Sequence, residues 1–206
     1  MPFLYLLRHG QSPVNVSRTF SYRSVDPGLT ERGVEQAQAV ARYFVDKPIA
    51  RVFSGPLQRA QRTAEYVASA TGAPLEIVEA LRELNVGDLE GRSDRAGWDV
   101  HDAVLRGWRA GDWDAGFPGG ENFHQVRARI TGFLDWLATD FPDQDLIAVG
   151  HGGIFCSVLP LVCEIPKGDG EWLTLGNTAV SIFRRGDTLS CEQWNGLAHL
   201  ASGLSS

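Results

Sequence analysis

Two histidines in this sequence each follow an apolar run and precede a glycine. The stretch FLYLLRHGQS ends its apolar run at Arg8 and His9, and the later stretch DLIAVGHGG ends at His151. A histidine in such a place can be a solvent-facing residue at the end of a strand. It can also be one part of a site that other segments of the chain complete.

A third apolar run, residues 49–53, is followed by SGPLQRAQRTAE, which places Arg59 one turn into a predicted helix. Arg59 can equally be a helix-surface residue among its polar neighbours. Ligands of open parallel sheets bind beyond the carboxyl ends of the strands. If the three runs are neighbouring strands, Arg8, His9, Arg59 and His151 therefore meet in one concavity.

Such a cluster of cations is unfavourable in a partly dry site unless an anion binds there. Arginine presents forked donors that match phosphate oxygens, and glycines such as Gly10, Gly55 and Gly152 allow backbone N–H groups to come close. The pattern predicts a phosphoryl ligand and an imidazole that attacks phosphorus to give a phosphohistidine. Neighbouring cations lower the pKa of a histidine, which keeps the attacking nitrogen unprotonated.

The leaving alcohol also needs a proton, and Glu83 in LRELN follows a fourth candidate strand. A phosphate dianion beside a carboxyl group favours the protonated form of that group, as a general acid requires. Glu76, Glu79 and Glu90 lie nearby in the sequence and remain alternatives.

The elements that position these residues follow a strand-loop-helix rhythm. It predicts an α/β fold, a three-layer α/β/α sandwich with a mostly parallel central sheet and helices on both faces. Thr30 is a plausible N-cap for one helix, and Gly72 follows the end of another. The predicted strands are residues 3–7, 49–53, 75–78 and 146–149 with a hairpin of 179–184 and 189–194, and the later helices span about 56–70 and 121–139.

Residues 92–120 have weak periodicity and are rich in glycine and aromatic residues. We interpret them as a helical lid over the sheet, within a single domain that covers residues 1–206. The lid aromatics (Trp98, Trp108, Trp113 and Phe117) suggest packing or an apolar, sugar-stacking surface.

Composition narrows the function classes. The formal net charge is −6 and no basic stretch offsets it, which argues against a nucleic-acid partner. The sequence has neither an apolar segment long enough to span a membrane nor a recognisable signal peptide. Cys156, Cys163 and Cys191 are odd in number and lack metal-ligand spacing, so we expect reduced thiols in a cytoplasmic protein.

Four motifs in order carry a family resemblance. LLRHGQSPVN, SGPLQRAQRTAE, LRELNVGDLEG and AVGHGG resemble the signatures of the histidine phosphatase superfamily, the phosphoglycerate mutase-like proteins. The stretches DPGLTERGVEQA, FPGGENF and QWNGLAHL fit the same order, so the resemblance spans nearly the whole chain. Asn122 replaces a frequent serine in FPGGENF, and asparagine caps a helix equally well.

The resemblance implies a role for each site residue. His9 is the nucleophile, Glu83 is the general acid, and no metal or other cofactor takes part. Arg8, Arg59 and His151 hold the phosphoryl oxygens and stabilise the transition state, and Asn15 is a further phosphate contact. With Gly152 from the glycine argument above, these residues form the predicted phosphate-binding set.

These residues predict a phosphatase that acts on a small phosphate monoester, either a sugar phosphate or a phosphorylated organic acid. One alternative is a cofactor-dependent phosphoglycerate mutase. Such mutases usually carry an Arg-His-Tyr run after the acid and a basic tail, whereas this chain has LNVG after Glu83 and the end ASGLSS. The other alternative is a catalytically silent domain that binds a phospho-ligand. Similar proteins commonly form dimers, so a homodimer is consistent with the resemblance.

Overall fold

The apolar runs of the sequence form the strands of a central sheet. The structure is a computed structural model that describes residues 1–163, 165, 173–186 and 188–200. Its strands are β1 (Phe3–Arg8), β2 (Ile49–Ser54), β3 (Leu75–Ile77), β4 (Asp145–Gly150), β5 (Val180–Arg185) and β6 (Leu189–Gly196). Each predicted strand is therefore confirmed to within one or two residues at either end.

The sheet is mostly parallel, as predicted, and its strand order is β3-β2-β4-β1-β5-β6. The first four strands of that order pair in parallel, whereas β5 pairs antiparallel with both β1 and β6. The predicted hairpin is β5–β6, although Asp187 in its turn lies outside the described residues. This order places β1, β4 and β2 side by side. The polar residues that follow these three strands can therefore meet at one edge of the sheet.

Helices connect the strands. They are α1 (Pro13–Ser17), α2 (Glu31–Phe44), α3 (Gln58–Thr71), α4 (Arg95–Ala110), α5 (Phe123–Asp140) and α6 (Gly152–Val162), with 3₁₀ turns at Glu79–Leu81 and Gly87–Leu89. Thr30 caps α2 by accepting a hydrogen bond from Gly33 N, and Gly72 ends α3 in the left-handed conformation, as predicted. Asn122 caps α5 by accepting from Gln125 N.

One helix boundary differs from the prediction for a reason that lies elsewhere in the chain. Helix α3 begins at Gln58 rather than near Pro56, because Leu57 is extended. The Asp26 carboxylate accepts a hydrogen bond from Gln58 N at 2.9 Å and so caps the helix from a distant loop.

The alternation of β1 explains why helices cover both faces. Leu4 and Leu6 belong to the core cluster that contains α5 and α6, whereas Tyr5 and Leu7 belong to the cluster that contains α2 and α3. Successive side chains of a strand point to opposite faces, so a strand that is apolar on both faces must be covered twice. The three-layer architecture is confirmed.

The predicted lid consists of α4 and the loop that leads to α5. Its Trp108 and Phe117 are buried in the same cluster as α5 and α6, which ties the lid to that face of the sheet. No helix in the described part of the chain is both long enough and apolar enough to cross a membrane.

Candidate active site

The sheet brings the two predicted histidines together. Arg8 pairs in register with Gly150, so His9 and His151 leave adjacent strands at the same edge. Their ring centroids are 5.0 Å apart, and both rings are buried. Arg59, in the first turn of α3, is only 3% exposed, so it is not a helix-surface residue.

His9 has a tautomer fixed by its two neighbours. Its Nδ1 lies 2.7 Å from the Gly10 carbonyl oxygen, and its Nε2 lies 3.1 Å from Arg59 Nε. A carbonyl can only accept and a guanidinium can only donate, so we assign the proton to Nδ1 and a lone pair to Nε2. Burial, followed by the charges of Arg59 and Arg8, holds the pKa of His9 well below its ordinary value. His9 therefore presents a neutral nucleophilic nitrogen.

Three nitrogens of this cluster have no hydrogen-bond partner among the described residues: Arg8 Nε and both ring nitrogens of His151. Burial, with the charge of Arg59 second, lowers the pKa of His151 well below its ordinary value. Unpartnered buried donors are unfavourable, and each needs an explanation. A ligand with several acceptor oxygens accounts for Arg8 Nε and for the one ring nitrogen of a neutral His151 that carries a proton.

Asn15 and Asn177 form a second layer beside His9. Asn15 Oδ1 accepts from Ser12 N and Ser12 Oγ, both at 3.0 Å, and from Asn177 Nδ2 at 3.3 Å. Asn177 Nδ2 also donates to the His9 carbonyl at 3.0 Å. Because its oxygen is engaged by three donors, Asn15 keeps its amide N–H groups for the cavity that it lines.

The glycines of the site have different roles. A Cβ on Gly152 would lie 3.2 Å from Arg8 Nε, and one on Gly153 would lie 2.5 Å from Glu83 Oε1, so both permit a close approach at the cavity. The expectation that Gly10 and Gly55 direct their N–H groups at a phosphate is wrong. Gly10 N donates to Thr63 Oγ1 and Gly55 N donates to the Val149 carbonyl.

Glu83 is the one predicted carboxylate that lines the cavity among the described residues. Its carboxylate accepts from Leu84 N, Gly153 N and Ile154 N at 2.8–2.9 Å, which ties it to the start of α6. The three alternatives are engaged elsewhere: Glu76 with Arg51, Glu79 with Arg82, and Glu90 with the backbone of residues 22–25.

Arg129 fixes the segment that carries Glu83. It donates five hydrogen bonds: one each to the carbonyls of Ala80, Arg82 and Glu83, and two to the Glu121 carboxylate. Every N–H of the guanidinium is thereby used. The same carboxylate of Glu121 accepts from Asn85 N, so the chain is held on both sides of Glu83.

The loop before α2 supports Arg59. Ser21 accepts from Arg59 Nη1 at 2.8 Å and donates to the Val25 carbonyl. The Glu90 carboxylate accepts from four consecutive backbone N–H groups of this loop, Tyr22 through Val25. Glu90 therefore holds the loop that orients Arg59, instead of acting at the cavity.

The cavity at this cluster has a volume of about 390 Å³. We call Arg8, His9, Asn15, Arg59 and Gly152 its cationic end, with Glu83 beside it. We call the apolar side chains that also line it its apolar wall; they are Val14, Phe20, Leu84, Val86, Trp98 and Leu105. Cys156 also lines the cavity, but burial raises the pKa of its thiol to about 12, so it is not a competing nucleophile.

The lid contributes less to the cavity than its aromatic content suggests. Trp98 lines the cavity, whereas Trp108 and Phe117 are buried in the core, and Trp113 packs on Phe123 with ring centroids 4.5 Å apart. Sequence reasoning also missed Ser21, Asn177 and Arg129. No local signal marks them, because each acts on a segment far away in the sequence.

Comparison with known proteins identifies the family. The model of the histidine phosphatase superfamily (branch 1) matches residues 4–196. The chain belongs to the histidine phosphatase superfamily. It is 30% identical to the adenosylcobalamin/alpha-ribazole phosphatase of Salmonella typhimurium, over 79% of this chain and 80% of that protein.

Two further relatives show the range of the family. A probable phosphoglycerate mutase of Cronobacter sakazakii is 31% identical over 86% of this chain and 82% of its own length. A mycobacterial glucosyl-3-phosphoglycerate phosphatase, solved with VO3, superposes with a TM-score of 0.75 at 27% identity and covers 96% of this chain and 100% of that one. The phosphatases among these histidine phosphatase relatives support assignment of this chain as a phosphatase.

Proposed function

We propose that this chain is a metal-independent phosphomonoesterase that acts through a phosphohistidine on His9. The observation that carries the proposal is the unprotonated Nε2 of His9 within a buried cluster where Arg8 Nε and both nitrogens of His151 have no described partner. The site is complementary to a tetrahedral oxyanion next to a nucleophile.

Binding of the phosphate monoester comes first. Arg8, Arg59 and the Asn15 amide donate to the phosphoryl oxygens, with Gly152 close enough for backbone contact. His151 donates to the same group, since its nitrogens lack other described partners. Guanidinium and imidazole groups here supply the charge stabilisation that Mg²⁺ provides in many other phosphoryl-transfer enzymes.

Chemistry then proceeds in two displacements. The His9 Nε2 lone pair forms a bond to phosphorus while the P–O bond to the alcohol breaks, and Glu83 gives its proton to the departing oxygen. Water next attacks the phosphohistidine, the N–P bond breaks, and the Glu83 carboxylate takes the proton that water loses. The phosphate product leaves and the enzyme is regenerated.

The substrate within this proposal is a small phosphate monoester, with sugar phosphates and phosphorylated organic acids as the first classes to test. The enzyme needs no cofactor and acts in the cytoplasm on a small molecule, without a nucleic-acid or membrane partner. A homodimer is compatible with the proposal, and its stoichiometry is measurable by light scattering.

A phosphoglycerate mutase is the second candidate, and the relative from Cronobacter sakazakii favours it. Purified protein treated with EDTA is incubated with 3-phosphoglycerate and, separately, with p-nitrophenyl phosphate. The proposal expects inorganic phosphate from both or from the aryl ester alone. Interconversion of 2- and 3-phosphoglycerate without phosphate release would establish the mutase instead.

A silent phospho-ligand-binding domain is the third candidate. The proposal expects His9→Ala to abolish turnover of p-nitrophenyl phosphate while vanadate still binds, because the arginines remain. Wild-type protein that binds vanadate but releases no nitrophenolate would support the silent domain. Unchanged turnover by His9→Ala would exclude His9 as the nucleophile.

A further inference from the structure

Apolar side chains form much of the cavity lining besides the cationic end. The side chains of its apolar wall are mostly buried, with Val14, Phe20 and Leu105 at 6–7% exposure. Phe20 and Trp98 stack against each other with ring centroids 4.4 Å apart and an interplanar angle of 35°, and both residues line the cavity. In the proposed mechanism the alcohol departs while phosphorus bonds to His9, and this wall is the apolar surface available to it in the cavity.

Two polar groups next to the apolar wall are already used within the protein, whereas His101, Ser157 and Thr174 line other parts of the cavity surface. Trp98 Nε1 donates to the Arg18 carbonyl at 3.0 Å, so the indole offers its ring rather than its N–H to a ligand. The Ser21 hydroxyl donates to the Val25 carbonyl and accepts from Arg59. Hydroxyl groups placed against the apolar wall would lose water without gaining partners there, which is unfavourable.

Charge away from the cationic end is also sparse. Besides Arg8, Arg59 and Glu83, Arg18 is the one Lys, Arg, Asp or Glu side chain among the described residues that line the cavity. Its guanidinium lies 4.8 Å from the centroid of the Trp98 ring, stacked on the aromatic surface. A single exposed arginine that is already stacked is a weak second site for a carboxylate or another phosphate.

We propose that the substrate is a phosphate monoester whose alcohol carries a compact apolar or aromatic ring, and that Phe20 and Trp98 form the contact surface for that ring. This inference rests on the phosphatase function proposed above. Ligand cavities of drug-sized molecules begin at about 300 Å³, so about 390 Å³ suits a phosphate with one ring group. It is an alternative to the sugar phosphate or phosphorylated organic acid named above, and it follows from the lining, to which Trp98 alone of the four lid aromatics contributes.

The test compares primary alkyl esters, whose leaving alcohols need similar help from Glu83. Benzyl phosphate and 2-naphthylmethyl phosphate are assayed beside glucose 6-phosphate and 3-phosphoglycerate. We expect kcat/KM for the ring-bearing esters to be about tenfold or more above that for the other two, as burial of a ring-sized apolar group provides. Equal or higher values for glucose 6-phosphate or 3-phosphoglycerate would overturn the inference.

Two variants of Trp98 test whether the preference for ring-bearing esters depends on this side chain. Trp98→Ala should raise KM for 2-naphthylmethyl phosphate about tenfold and leave ethyl phosphate unchanged, whereas Trp98→Phe should retain most of the affinity. Equal losses on both esters would contradict a role in specificity. Arg18→Ala serves as a control: a selective loss on 3-phosphoglycerate would show that a carboxylate is recognised instead.

Failure of this inference is distinguishable from failure of the proposed function. Turnover of all four esters without preference for a ring would defeat only the substrate class. Absence of turnover on every ester, including p-nitrophenyl phosphate, would defeat the phosphatase proposal. Circular dichroism of each variant checks folding, and the wild-type comparison tests the inference without any variant.

Discussion

Arg59 Nε donates to His9 Nε2 across 3.1 Å, so a cation holds the nucleophile in its unprotonated form. The same guanidinium is assigned to the phosphoryl oxygens. In the proposed mechanism, phosphate binding exchanges the Arg59–His9 hydrogen bond for an Arg59–phosphate bond, which frees the Nε2 lone pair to attack phosphorus. Ser21 accepts from Nη1 of the same guanidinium, which keeps it in place during the exchange.

Glu83→Gln should slow substrates with poor leaving groups selectively. A glutamine cannot give a proton to an alkoxide, so single-turnover cleavage of benzyl phosphate should fall by about 10²–10⁴-fold. Nitrophenolate leaves without a proton, so the first turnover of p-nitrophenyl phosphate should fall far less. Stopped-flow single-turnover rates on both esters provide the measurement, and equal losses would argue against Glu83 as the acid.

Arg129→Met should act through Glu83, because it removes five hydrogen bonds that hold the segment around that residue. We expect a loss of about 3 kcal/mol in the free energy of unfolding, since Glu121 is left without its partner. The kcat for benzyl phosphate should fall more than that for p-nitrophenyl phosphate. Urea unfolding and steady-state kinetics measure these effects.

A matched control for that variant is Arg62→Met, which breaks the exposed pair between Arg62 and Glu65. Exposed ion pairs contribute little, so both stability and the ratio of the two kcat values should stay unchanged. An Arg129→Met protein that loses stability with no change in that ratio would be explained by structure alone, and the positioning role would be rejected.

Asn177 should contribute to phosphate affinity through Asn15. Asn177→Leu removes the donor to Asn15 Oδ1 and to the His9 carbonyl, so the Kd for inorganic phosphate should rise about five- to tenfold. Asn15→Ala should have a similar effect. Because the two side chains act on one another, the double variant should lose less than the sum, measured by titration calorimetry. Strictly additive losses would show that they act independently.

Stability should fall in acid because the buried His9 and His151 and the partly buried His199 are neutral in the folded state. Burial lowers the pKa of His199 to about 4, and the pKa values of His9 and His151 are also lowered, whereas an unfolded chain has histidines of pKa about 6.5. Between these values the unfolded chain binds more protons, so the free energy of unfolding drops as pH falls from about 6.5 to about 4. Each histidine contributes at most about 1.4 kcal/mol per pH unit.

Urea unfolding at several pH values across this range measures the slope. His199→Gln should reduce it, because Thr178 then faces a side chain that does not titrate there. A flat profile between pH 6.5 and 4 would contradict the assignment of neutral buried histidines.

The sequence was sufficient to predict the fold and the central chemistry where local signals exist. Two such signals are the apolar runs that end at His9 and His151 and the N-cap residue Thr30. Each is a pattern of residues that are adjacent in the sequence, so it can be recognised in one sequence alone. The polar ends of β1, β4 and β2 converge because these three strands are neighbours in the sheet. The alternation of strands and helices in the sequence favours a parallel sheet, in which such ends lie at one edge.

The remainder depends on contacts between distant segments. Asp26 begins α3 from 32 residues away, and Arg129 reaches back 46 residues to the Glu83 carbonyl. The glycine interpretation failed for a related reason, since Gly10 packs against Gly33 of α2, where a Cβ would lie 2.5 Å from the Gly33 carbonyl oxygen. A glycine in a sequence pattern indicates that another group packs closely against the backbone there, but it does not identify that group.

The most direct test of the central claim is to trap the phosphorylated enzyme. Glu83→Gln protein is mixed rapidly with p-nitrophenyl phosphate, quenched in alkali, digested and analysed by mass spectrometry, with His9→Ala as the control. The proposed mechanism predicts one phosphoryl group on the peptide that contains His9, formed in step with the nitrophenolate burst and absent from the control. A burst with no phosphorylated peptide, or a phosphoryl group on any other residue, would contradict it.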